Sequence, residues 1–61
     1  MHTVICNSIQ SFLDMAESKL LEGRHVHCVF SVDKYSKIMI HNYKAQYRIA
    51  KITYSNHFIH T

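Results

Sequence analysis

The sequence predicts an α+β domain: an N-terminal amphipathic helix packed on a three-stranded antiparallel sheet, in the order αβββ, assembled as a homodimer. Two observations carry the fold class. An apolar stripe with a helical period runs through residues 8–22, and after Gly23 the apolar period changes to two. A third observation, size, points to the dimer. A chain of 61 residues buries only about 60% of the surface its unfolded form exposes. Its core stabilises it by a few kcal/mol net, and pairing two copies would enlarge that core.

The helix has recognisable ends. Asn7 suits an N-cap, and Gln10 three residues later completes a capping-box pattern. Ile9, Phe12, Leu13, Ala16 and Leu20 form the stripe at i, i+3, i+4, i+7 and i+11. Gln10, Ser11, Asp14, Glu17 and Ser18 line the other side, while Met15 and Leu21 flank the stripe and could touch another subunit. Gly23 offers the left-handed residue that commonly ends a helix.

The first strand is expected over residues 25–32. Val26, Cys28, Phe30 and Val32 alternate there with His25, His27, Val29 and Ser31. Residues 33–36 read as a turn, and 37–43 as a second strand with Ile38 and Ile40 on one side and Met39, His41 and Tyr43 on the other. A turn near Lys44-Ala45 leads to a third strand over 47–54. A rival exists for this half. Ile40, Tyr43, Tyr47, Ala50 and Tyr54 also fit a helical stripe, and Ser36 could cap such a helix. The density of β-branched and aromatic residues from Ile38 to Tyr54 favours strands. Val4-Ile5-Cys6 could add a short edge strand, and residues 55–61, polar apart from Phe58 and Ile59, read as a loosely held tail.

Composition narrows the classes of function. With no proline and one glycine there is no linker, so 1–61 reads as one domain. No apolar run approaches the roughly 18–20 residues of a membrane span. Residues 1–7 carry no basic leader, and no lipidation motif is present, so a soluble, cytoplasmic protein without membrane partners is expected. Cys6 and Cys28 then read as reduced and buried, with a disulfide between them only in an oxidising compartment. Four carboxylates leave little for acid–base pairs or carboxylate metal sites.

Charge is divided along the chain. Residues 1–22 sum to −2 and residues 23–61 to +5, which suggests a basic half facing an anionic partner or an acidic protein surface. In that half, bases and aromatics interleave at Lys34, Tyr35, Lys37, Tyr43, Lys44, Tyr47, Arg48 and Lys51, with Tyr54 following. Cations neutralise phosphates and tyrosine rings stack on unpaired bases, so an exposed face of this kind could bind nucleic acid. The plainer reading half-buries the tyrosines and lets the lysines solvate the sheet edges.

Six histidines form the other constellation. His25 and His27 share one strand face, and a suitable strand register would bring His41 beside them, which could hold zinc. No CxxC or HExxH supports a metal, and neither metal nor cofactor is expected. The leading expectation is a small regulatory protein of inhibitor or adaptor type, not an enzyme, that binds a protein partner through its basic half. A nucleic-acid-binding protein is the alternative, because no nucleic-acid motif is complete. A ribonuclease toxin using His25 or His27 as general base is the minor one.

Overall fold

The computed structural model describes residues 2–55. Its elements alternate: β1 (Thr3–Cys6), α1 (Ile9–Glu17), β2 (His25–Cys28), α2 (Lys34–Gln46) and β3 (Lys51–Tyr54). The three strands form one sheet in the order β1-β2-β3, and both pairings are parallel. The expected antiparallel αβββ arrangement is therefore wrong. The short edge strand at Val4-Ile5-Cys6 is a full member of the sheet, and the expected strand over 37–43 lies inside a helix. The expected third strand, 47–54, shrinks to β3, and the first, 25–32, to β2. The expected tail lies outside the described residues except for Ser55, whose N–H donates to the Cys28 carbonyl at 3.1 Å and extends the ladder by one bond.

The strands are visited in the order in which they lie in the sheet, so both crossovers advance the same way. Right-handed crossovers then place both helices on one face. The register agrees. Val4, Val26 and Ile52 form one row and Cys6, Cys28 and Tyr54 another, and all six belong to the core or pack against it. The alternate rows, Thr3–His25–Lys51 and Ile5–His27–Thr53, lie on the opposite face. No helix among the described residues covers that face. This one-sidedness explains the error in sheet type. Buried parallel strands normally read as unbroken apolar runs, and clean alternation is the mark of an antiparallel sheet with one wet face.

Helix α1 begins one residue later than expected: Ser8, not Asn7, is the cap, its hydroxyl accepting from the Ser11 N–H at 3.1 Å. It ends at Glu17, short of residue 22, because Lys19 turns left-handed (φ 62°). The Lys19 N–H donates to the Ala16 carbonyl at 2.9 Å and the Leu20 N–H to the Met15 carbonyl at 3.0 Å, a Schellman closure. Gly23 is also left-handed (φ 72°), but it turns the loop rather than the helix, donating its N–H to the Arg48 carbonyl at 2.8 Å.

Helix α2 is capped by Asp33, which accepts from the Ser36 N–H at 2.8 Å. Those bonds hold the Asp33 carboxyl below its ordinary pKa. The helix closes as α1 does. Arg48 turns left-handed (φ 54°), and the Ile49 N–H reaches back to the Lys44 carbonyl at 3.0 Å. Phe12, Ala16, Leu21, Val26, Ile40 and Ile49 form the core with the two cysteines. Tyr43 joins the helices, its ring 6.1 Å from that of Phe12 and its hydroxyl donating to Glu17 Oε2 at 2.7 Å. That bond is the main cause of the raised Tyr43 phenol pKa. Among the described residues, no helix is long and apolar enough to cross a membrane.

Candidate functional site

The helical period of α2 sorts the basic half into separate surfaces. Lys34, Lys37, His41 and Lys44 stand at i, i+3, i+7 and i+10 and make one stripe on the side away from α1. Beside them lies a solvent-open groove of about 610 Å³, lined by that stripe together with Ile38, Asn42, Ile52 and Tyr54. None of these lining residues is acidic. The surface inside the groove is nonetheless mainly apolar, because lysine stems cover hydrocarbon while their ammonium groups reach water.

Two neighbouring elements position this site. The Asp33 cap starts α2 at Lys34, which sets the angular position of every residue in the stripe. The pairing of Val26 with Ile52 and of Cys28 with Tyr54 sets the floor contributed by β3. Lys37 Nζ sits 5.1 Å from the centroid of the Tyr54 ring, a cation–π contact that ties rim to floor. Burial raises the Tyr54 phenol pKa, with a smaller push from Cys28. Ile38 is 54% exposed at the groove's edge, although it is a large apolar side chain.

Of the eight residues from Lys34 to Lys51 singled out from the sequence, Lys34, Lys37 and Lys44 come together here, and Tyr54 joins them. The other five do not. Tyr35 projects from α2 at 80% exposure and does not line the groove. Tyr43 and Tyr47 pack against the core with ring centroids 5.2 Å apart. Arg48 lies past the end of α2, on a second cavity of about 250 Å³ with Lys19, Glu22, Gln46 and Tyr47. Lys51 is exposed on the uncovered sheet face, in register with His25. Ile38 and Ile52 also line the groove and are absent from the pattern of bases and aromatics, whereas Tyr54 belongs to that pattern and His41 to the histidine constellation. The i, i+3, i+7, i+10 spacing of the bases was the available signal, and it is meaningful only once the segment is helical.

The histidines are divided too. His25 and His27 sit on the uncovered sheet face, whereas His41 lies on α2 in the groove. The register that would have joined them does not exist, because residues 37–43 are not a strand. Among the described residues, no three His, Cys, Asp or Glu side chains are placed to hold a metal ion. His27 has both ring nitrogens in contact with hydroxyls, Nδ1 with Thr53 at 2.6 Å and Nε2 with Ser55 at 3.0 Å. Comparison with known proteins finds no family model, no curated protein and no solved structure that matches the chain.

Proposed function

We propose that the protein is a non-enzymatic interaction module that holds an acidic segment of a protein partner in the groove between α2 and β3. The observation that carries this reading is the pairing of a cationic stripe (Lys34, Lys37, Lys44) with an apolar surface (Ile38, Ile52, Tyr54) in a groove with no acidic lining residue. Charge complementarity selects and orients a partner, and the apolar surface supplies the affinity. A nucleic-acid surface needs a track of cations beside exposed rings. Here Tyr43 and Tyr47 pack against the core, and Arg48 and Lys51 lie away from the lysine stripe, which favours protein over nucleic acid. Two buried, unpaired thiols suit a reducing compartment such as the cytoplasm.

The test is selection from a displayed library of random peptides against the whole protein, with each selected peptide re-measured on Ile38→Asp and on Lys37→Glu/Lys44→Glu. The expected result is peptides that lose at least tenfold in affinity on both variants. Peptides indifferent to both changes would overturn the reading. So would tight, salt-sensitive binding of an RNA or DNA oligonucleotide that Lys37→Glu/Lys44→Glu abolishes, if no peptide binds in the groove.

A further inference from the structure

The helix layer stops short of the sheet. α1 connects β1 to β2 and α2 connects β2 to β3, and both lie on the same face. The central strand is sealed beneath them: Val26 is 1% exposed and Cys28 fully buried. Their register partners on β3, Ile52 and Tyr54, are only half-buried, and the groove opens above them. In a sheet built by successive crossovers, a helix beside α2 would cover this flank. At the usual interaxial separation of about 8–10 Å it would rest on Ile38, Ile52 and Tyr54 together.

Resting on the groove reading above, we propose that the partner segment is an acidic amphipathic α-helix, seated beside α2 in the position of a third helix of the layer. Length supports this. The stripe from Lys34 to Lys44 covers ten residue steps, about 15 Å at 1.5 Å per residue, so a helix of about three turns matches it. Chemistry supports it as well. A helix presents apolar anchors at i, i+3 or i+4, and i+7 to a groove of this shape, with charged residues along the margin. The margin here is Lys34, Lys37 and Lys44, so the charged residues of the incoming helix are Asp or Glu. An extended strand would instead pair its backbone along the outer edge of β3 and leave Ile38 uncovered.

The experiment uses library peptides of about 14 residues, long enough for three to four turns. Peptides whose binding depends on Ile38 are sequenced, and their circular dichroism is recorded free and bound. Enrichment of Asp and Glu, apolar residues at helical spacing, a gain of helicity on binding and amide shifts on both α2 and β3 are expected. Peptides that depend on Ile38 but bind without helicity, or carry no acidic enrichment, overturn this inference while leaving the groove reading intact. Absence of any peptide that depends on Ile38 overturns both. The same measurement on Phe58→Ser/Ile59→Ser tests an occupant from within the chain. If peptides bind that variant and not the parent, the groove belongs to the chain's own residues 56–61, and the partner assignment falls.

Discussion

Cys6 and Cys28 stand opposite each other, in register on adjacent parallel strands, both wholly buried and both free thiols. Burial raises both pKa values. That of Cys28 is pushed up to about 12, with the neighbouring Cys6 adding to the effect of burial. The thiolate is the reactive form, so neither cysteine reacts at neutral pH while the fold is intact. Ellman's reagent is expected to find no accessible thiol in the native protein and two after denaturation. Rapid labelling of the native form would contradict the buried placement.

The same shift sets a pH limit on stability. The unfolded thiol loses its proton near 9, the folded Cys28 near 12, so the folded state binds the proton more tightly. Its contribution is complete below about pH 9 and is lost as pH rises toward 12, at up to about 1.4 kcal/mol per pH unit for one thiol. Denaturant midpoints measured from pH 8 to 11 should fall, and Cys28→Ala should flatten the fall.

Acid acts at the other end of the scale, on Asp33. Its carboxyl is held below the ordinary range chiefly by the Ser36 N–H, so its contribution is present above about pH 4 and disappears as pH drops through the folded value. Helicity of α2 should decline on acidification. In Asp33→Ala the pH-dependent part of that decline should be missing, and Asp33→Asn should retain most of the neutral-pH helicity, since Asn also caps well. Amide exchange at Ser36 reports the first turn directly.

Lys19 and Arg48 both occupy the left-handed position that closes a helix, at φ 62° and 54°. A residue with a Cβ is strained there by roughly 1–2 kcal/mol, and glycine recovers part of this after its larger loss of chain entropy. Lys19→Gly and Arg48→Gly are each expected to raise stability by about 0.5–1 kcal/mol, read from urea unfolding. Substitution by valine at either position should lower it.

Ile38 and Ile40 are two residues apart on α2 and have opposite environments, 54% exposed against fully buried. Ile40→Ala is expected to cost about 2–5 kcal/mol, comparable with the whole stability of a chain this small, and to leave it largely unfolded. Ile38→Ala should shift the melting temperature little. In a strand the two would share a face and behave alike. Equal effects would therefore contradict the helix.

That pair also shows why the sequence was only partly legible. Ile38 and Ile40, with Met39 and His41 between them, look like alternation, and β-branched and aromatic residues reinforce the impression. Local preference is weak against tertiary packing, and the deciding contacts are Ile40, Tyr43 and Tyr47 against the core, the stripe that argued for a helix. Asp33 looks like part of a turn in the sequence, yet it caps α2. The early part of the chain was easier. Phe12 and Ala16 lie where the stripe placed them, buried in the core, because α1 is polar on its other face and carries no competing alternation. The site was half visible. Charge alone points to Lys34, Lys37 and Lys44, but a groove needs a floor, and Ile52 and Tyr54 join it only through the parallel pairing of β2 with β3.

In this sheet each strand's hydrogen-bonding partner is the strand that follows or precedes it along the chain, β1 with β2 and β2 with β3. No pairing joins the first strand to the last. The loops that must close are each one crossover long, shorter than a pairing of the first strand with the last would need. On a ribosome the chain emerges amino end first. The ladder of β1 and β2 can be complete once Cys28 has cleared the exit, and β3 then adds to a template already in place. Assembly can follow the direction of synthesis.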